Sequence, residues 1–184
     1  MAMRDIAKPF AFWLTPEQTS HEKLSQFVNS LAARYQSPPF EPHLTLYFGT
    51  YLIPNTPLDI AQALSLKTGP ISVQVERLKQ TDFIFKSLFL QFAPHLQLTN
   101  MVETVSQRLQ APLDFQLDPH LSLMYADLSE HQKQAIIDDL TLDFNTIIFD
   151  SLKFVTPNPV SQDWGDIAGW QIEGEWKLTG GAMD

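Results

Sequence analysis

Two short segments hold residues whose types and spacing suit acid–base chemistry: Pro42-His43-Leu44-Thr45-Leu46 and Pro119-His120-Leu121-Ser122-Leu123. On an extended strand, side chains two residues apart leave the same face, roughly 7 Å apart along the chain. His43 and Thr45 therefore share one face while Leu44 and Leu46 take the other. His120 and Ser122 repeat that arrangement against Leu121 and Leu123. Each strand offers an imidazole beside a hydroxyl, backed by leucines that enter a core. Two such strands meeting across a pseudo-twofold axis present two imidazoles and two hydroxyls to one cleft. That set suits displacement at phosphorus. A neutral imidazole takes a proton from the attacking water, and a protonated one gives a proton to the departing oxygen. Thr45 and Ser122 are placed to donate hydrogen bonds to the non-bridging phosphoryl oxygens, where transition-state charge is spread. An imidazole pKa of about 6.5 predicts a bell-shaped pH profile centred near neutrality.

A single His-x-Thr or His-x-Ser is a weak pattern. A match over five positions, in the same element of each half of the chain, is specific. Packing alone would favour apolar residues over two polar side chains on one face. The remaining histidines read differently. His21 and His131 fall in the first turns of predicted helices and His95 follows Pro94 at another, so all three are expected to be exposed surface residues. A zinc site built on His43 and His120 lacks a third ligand, and the expectation is no metal and no cofactor.

The elements that must position the two motifs follow one order twice. Residues Phe10–Leu14 form a short apolar strand. A helix follows, with Leu24, Phe27, Val28, Leu31, Ala32 and Tyr35 at helical spacing and Ser20 as its predicted N-cap. Residues 42–49 are the histidine strand. Thr56 and Pro57 open a second helix, and Ile71, Val73 and Val75 alternate with polar residues in a half-buried strand. The second half repeats the order. It has a strand over about Phe83–Phe92, a helix opened by Pro94, the histidine strand Pro119–Tyr125, and a helix capped by a Ser129–Gln132 capping box. Two strands finish the chain, over about Thr146–Val155 and Trp170–Leu178. Pro157–Gly169, rich in turn residues, is the expected low-order connection. The two histidines stand 77 residues apart. The fold class is therefore α+β: a single domain over 1–184, duplicated and two-lobed, with repeat one at about 9–80 and repeat two at about 81–184. Antiparallel sheets with flanking helices surround a pseudo-twofold axis and a central cleft.

Bulk composition limits the partners. The 184 residues are enough to bury a sizeable core, and 44% are hydrophobic. The absence of cysteine excludes disulfides and thiolate nucleophiles. No apolar run reaches transmembrane length and no h-region is seen, so the expectation is a cytoplasmic protein without a membrane partner. The net charge is −9, and the 12 Lys and Arg residues are scattered. A long nucleic acid needs clustered cations to displace its counterions and is not an expected partner. A small anion held in a pocket is.

The paired motifs resemble the two-histidine (2H) phosphoesterase superfamily. Within it, Pro119–Lys133 (PHLSLMYADLSEHQK) is similar to the plant and fungal cyclic phosphodiesterases, as are FAFWLTP at 10–16, PHLTL at 42–46 and FIFKSLFL at 83–90. The resemblance spans nearly the whole chain, with the two histidine motifs as its specific part. It implies metal-independent hydrolysis of ADP-ribose 1″,2″-cyclic phosphate and nucleoside 2′,3′-cyclic phosphates, with His43, Thr45, His120 and Ser122 as the catalytic set; the chain itself is expected to be a monomer. It also places Tyr125 at the family's active-site tyrosine and Trp13 near the base. Read by itself, Trp13 is a core residue of the first strand. Tyr125 is out of phase with Ser122 and reaches the site only where the strand bends or ends. Two other functions fit the motifs: an RNA 2′-5′ ligase or RNA-end cyclic phosphodiesterase of the same superfamily, and a non-catalytic nucleotide-binding module. A turnover assay separates enzyme from binder.

Overall fold

The computed structural model describes residues 7–52, 56–110 and 116–180. Repeat one supplies β1 (Ala7–Pro16), α1 (Gln18–Tyr35), β2 (Leu44–Leu52), α2 (Leu58–Lys67) and β3 (Ile71–Gln80). Repeat two supplies β4 (Leu88–Phe92), α3 (Leu96–Leu109), β5 (His120–Met124), α4 (Glu130–Asp139) and β6 (Thr146–Thr156), with β7 (Gln171–Lys177) added at the end. The architecture is α+β, as the duplicated pattern predicts.

All strand pairs are antiparallel, in the order β1-β2-β5-β4-β3-β6-β7, and a further β1–β6 ladder closes the first six strands into a ring. One lobe is β2-β1-β6-β7 and the other is β5-β4-β3. They join through the β3–β6 ladder from Ile71↔Phe149 to Gln74↔Thr146, and through a single β2–β5 bridge, Leu44↔Leu121. Exchanging the repeats maps β1–β2 onto β4–β5 and β1–β6 onto β4–β3, as a pseudo-twofold axis requires. A lobe is not a repeat, however: β3 and β6 each cross into the lobe begun by the other half. The helices cross too, α1 packing on β5, α3 on β2, α2 on β6 and α4 on β3.

Alternation separates the two faces of this sheet. Phe10, Phe12, Leu14, Leu44, Leu46, Leu121 and Leu123 face the helices in one continuous core, joined by Leu24, Val28 and Leu31 of α1 and Leu98, Met101, Val102 and Val105 of α3. Ala11 and Trp13 face the other way, forming a small cluster with Val155, Trp164 and Trp170. The second face is the one that carries the polar motif residues.

The structure corrects several local expectations. The α1 cap is Glu17, whose carboxylate accepts from the Thr19 and Ser20 amides at 2.9 and 3.0 Å. Ser20 sits inside the first turn and donates its hydroxyl to Glu17 at 2.7 Å. Thr56 does not cap α2, where Pro57 occupies the cap position without a side-chain bond, and α3 begins at Leu96, two residues after Pro94. The predicted strand over Phe83–Phe92 is half turn, because residues Ile84–Lys86 form a 3-10 turn and only Leu88–Phe92 pair. Ser87 marks the switch: its hydroxyl donates to the Met124 carbonyl at 2.7 Å and accepts from the Ala126 amide at 3.1 Å. The Ser129–Gln132 capping box is present in full.

Pro157–Gly169 is a folded loop and not a low-order one. Asn158 donates to Asp166 at 2.7 Å and accepts from the Val160 amide at 2.8 Å, and residues Ile167–Gly169 form a 3-10 turn. Gly169 permits this closure, since a Cβ there would lie 2.6 Å from Asp166 Oδ2 and 2.7 Å from Asn158 Cβ.

Candidate active site

The Leu44↔Leu121 bridge is antiparallel, so it sets His43 across from Ser122 and His120 across from Thr45, with both histidines at the seam between the lobes. A cleft of about 370 Å³ opens over that seam and is lined by His43, Thr45, His120 and Ser122 together. The four motif residues, distant in sequence, therefore share one concave site. His43 precedes the first residue of β2, while His120 opens β5.

Both rings are held in the same way. His43 Nδ1 lies 2.7 Å from the Glu41 carbonyl, and His120 Nδ1 lies 2.8 Å from the Asp118 carbonyl. A carbonyl oxygen only accepts, so each Nδ1 carries the hydrogen and Nε2 is left as the titrating atom. The main chain two residues back thus sets the tautomer at both histidines. Their surroundings differ. His43 is 6% exposed and stacks on Trp13, with ring centroids 3.7 Å apart and planes 12° apart. Burial pushes its pKa down to about 4, against the raising effects of the Glu41 carbonyl and carboxylate. His120 is less enclosed. Burial also lowers its pKa, with Lys86 adding to the effect and the Asp118 carbonyl and carboxylate opposing it.

Thr45 stands opposite Trp13 in the β1–β2 ladder, just past an irregularity at Phe12/Trp13, and Trp13 faces the cleft with Ala11 by the alternation of β1. Trp13 is therefore both a packed residue and a wall of the site. Ser122 does not present an idle hydroxyl, for its Oγ donates to the Phe85 carbonyl at 2.8 Å. Tyr125 reaches the cleft because β5 ends at Met124. Its ring stacks on Phe40 at 3.9 Å, and burial raises its pKa while a hydrogen bond with Ser122 pulls the other way.

Other residues at the site were not anticipated. Trp164 lies in the Pro157–Gly169 connection, and Trp170, expected to open the last strand, stands just before β7; Trp170 Nε1 donates to the Trp164 carbonyl at 2.9 Å, while Trp164 Nε1 is buried with no hydrogen-bond partner. Phe83, Phe85 and Lys86 come from the turn taken as strand. No periodicity in the sequence signals that these residues line a cleft. Glu41 and Asp118 were in plain view, since each extends its motif by an acidic residue two places before the histidine. Of the other histidines, His131 is exposed, but His21 is half-buried beside Glu41 at 3.2 Å, and His95 is half-buried with an unpartnered Nδ1. Among the described residues no three His, Asp or Glu side chains converge to hold a metal ion, and no helix is long and apolar enough to cross a membrane.

Residues 9–179 match the family described as cyclic phosphodiesterase-like protein. A relative, the cyclic phosphodiesterase of Arabidopsis thaliana, is 23% identical over 133 residues, covering 72% of this chain and 74% of that protein. Among solved structures, TT0787 of Thermus thermophilus superposes with a TM-score of 0.61 at 14% identity, covering 95% of this chain and all 100% of that one. Apo LigT of E. coli superposes with a TM-score of 0.57 at 11% identity, covering 95% and 99%. LigT complexed with 3′-AMP gives 0.56 at 12% identity, covering 94% and 98%. At such identities the structural neighbours speak for the fold. The family match runs from the first strand to the last, and with the paired histidine motifs it settles descent: the chain belongs to the cyclic phosphodiesterase-like family of the two-histidine phosphoesterase superfamily.

Proposed function

We propose that this protein hydrolyses small cyclic phosphates, nucleoside 2′,3′-cyclic phosphates and ADP-ribose 1″,2″-cyclic phosphate, by acid–base catalysis between His43 and His120 without a metal ion. The observation that carries the reading is the shared tautomer: both Nδ1–H groups are spent on main-chain carbonyls, so both Nε2 atoms are left for proton transfer at one cleft. His43, the more depressed of the two, is the base. It takes a proton from water as the water oxygen bonds to phosphorus. His120 is the acid and gives its Nε2 proton to the ribose oxygen as the ring P–O bond breaks, leaving a phosphomonoester. Thr45 and Ser122 donate to the phosphoryl oxygens. Ser122 does so by turning its hydroxyl from the Phe85 carbonyl while Tyr125 stays hydrogen-bonded to it. Trp13, Trp164 and Tyr125 supply aromatic surface for the base and ribose.

Product analysis on a panel of cyclic phosphates, including an RNA oligonucleotide with a cyclic end and a chelator-treated arm, tests this. Expected is ring opening of the mononucleotide-sized substrates with full activity after chelation. Binding without turnover would leave the nucleotide-binding module as the function.

A further inference from the structure

The carbonyls that fix the two imidazoles belong to Glu41 and Asp118, and each of these residues has its side chain tied to a lysine from another element. Lys153 Nζ of β6 lies 2.5 Å from Glu41 Oε1 and is 7% exposed. His21 of α1 approaches the same carboxylate oxygen at 3.2 Å, and Glu175 of β7 lies 3.7 Å from the same lysine. On the other side, Lys86 of the 3-10 turn donates to the Asp118 carboxylate, and Gln91 of β4 donates to it at 2.8 Å and to the Pro119 carbonyl at 2.9 Å. Burial raises the Asp118 pKa, but the bonds from Lys86 and Gln91 outweigh it and hold the carboxyl below its usual range. Lys86 Nζ also lies 4.5 Å from the centre of the Phe89 ring, which meets His120 edge-on at 5.5 Å.

The motif is therefore acid-Pro-His-Leu-hydroxyl-Leu in both repeats, with a lysine brought to each acid. In each case the carbonyl that orients the ring sits between a proline, which fixes φ on one side, and a side chain anchored by charge on the other. Stability gives a weak account of the arrangement, because desolvation offsets most of the attraction in the buried Lys153–Glu41 pair and solvent screens the exposed Asp118 carboxylate. Orientation gives a direct one, since a 1 Å misplacement of a reacting group costs about 100-fold in rate.

We propose that Glu41–Lys153 and Asp118–Lys86 are positioning pairs that hold His43 and His120 with Nε2 toward the cleft. They do not touch the reacting atoms. The charged and titratable groups facing His43 are Glu41, Lys153 and His120, with the Trp13 ring against it, and those facing His120 are Lys86, Asp118 and His43. The inference rests on the acid–base reading of the two histidines.

The test combines kinetics on a cyclic mononucleotide with NMR titration of the histidine rings in the substrate-free protein. The variants are D118N, K86M, K86R, the K86M/D118N double and the E41Q/K153M double, the last removing both charges without leaving a lone buried cation. Expected is a kcat loss of about tenfold or more in D118N and in E41Q/K153M, with KM within about twofold. K86M/D118N should be little worse than its poorer single variant, and K86R should retain more activity than K86M. His120 should titrate lower in D118N and higher in K86M, with His43 nearly unmoved in both. Wild-type kcat in folded D118N and E41Q/K153M, or His120 titrations unmoved by either charge change, overturns the proposal. K86M, which removes a partly exposed side chain, keeps the question decidable where the buried double variant does not fold. The titrations need no turnover: inactive wild-type protein sinks the cyclic-phosphate reading, whereas active wild-type protein with unmoved rings sinks the pairs alone.

Discussion

For two imidazoles to act as one unit, a neutral ring and a protonated ring have to coexist at the working pH. His43→Ala and His120→Ala should each lower turnover by about 100-fold or more, and the double variant should be little worse than the poorer single; steady-state kinetics on all three checks this. The surroundings of the rings move the pH optimum. In the proposed roles, His43 as base would work above its depressed pKa of about 4, and His120 as acid would work below a pKa that lies under 6.5. The kcat/KM profile should therefore peak on the acid side, between these limits, and fall through neutrality. The motif alone predicts a peak near pH 7, because it carries no information about burial. The same depression makes acid destabilising. Above pH 6.5 folded and unfolded chains both hold His43 neutral; as pH falls, the unfolded chain takes a proton that the folded one refuses, and stability is lost. Melting curves of wild type and His43→Asn at pH 7 and pH 5 should show the larger drop in wild type. Thr45→Val keeps the branched shape and strand preference but deletes the hydroxyl. It should cost about 2–4 kcal/mol of transition-state stabilisation with little change in melting temperature; normal kcat/KM in the folded variant would make Thr45 structural.

At the scale of elements, the loop between β6 and β7 is the part that only the structure reveals. It carries Trp164 and Trp170 to the cleft and closes through Asn158, Asp166 and Gly169. Gly169→Ala should push the loop open, raising KM several-fold while kcat and the global melting temperature stay close to wild type, because the histidines stand on other elements. Kinetics with a cyclic mononucleotide read this directly. Strands and helices were legible where a periodicity exists: Ile71, Val73 and Val75 alternate, and α3 buries the stripe Leu98, Met101, Val102 and Val105. The apolar run at 83–92 misled for a physical reason. Phe83 and Phe85 are apolar because they face a ligand cleft and not a core, and hydrophobicity does not distinguish the two. Glu17 was missed as a cap because Glu is not among the preferred cap residues. The four motif residues were legible because duplication printed them twice. Tyr125 needed the end of β5, and the tryptophans of the loop needed the loop.

For the molecule as a whole, charge bears on the proposed size of substrate. Its net charge is −9, and Lys86, the one Lys or Arg among the described cleft-lining residues, is already engaged by Asp118. An extended phosphate backbone gains little from counterion release on such a surface and is repelled by the overall field. A compact cyclic phosphate meets only the hydroxyls, the imidazoles and the aromatic walls. Specificity constants should therefore be at least as high for a cyclic mononucleotide as for an oligonucleotide with the same cyclic end, and should change little with salt. A preference for the oligonucleotide that collapses as salt is raised would transfer the function to RNA ends.

The crossed topology has a consequence for reassembly. β3 pairs only with β4 and β6, both from the second half of the chain, and the helices of each half pack on strands of the other. Cutting the backbone between β3 and β4 would leave one motif histidine, His43 or His120, on each fragment and neither fragment with a complete sheet. Turnover could then arise only from a paired complex, so its rate would rise with the product of the two fragment concentrations and report their encounter. The duplication that supplies the two motif histidines would, on the proposed mechanism, also make this chain a split reporter, silent in halves.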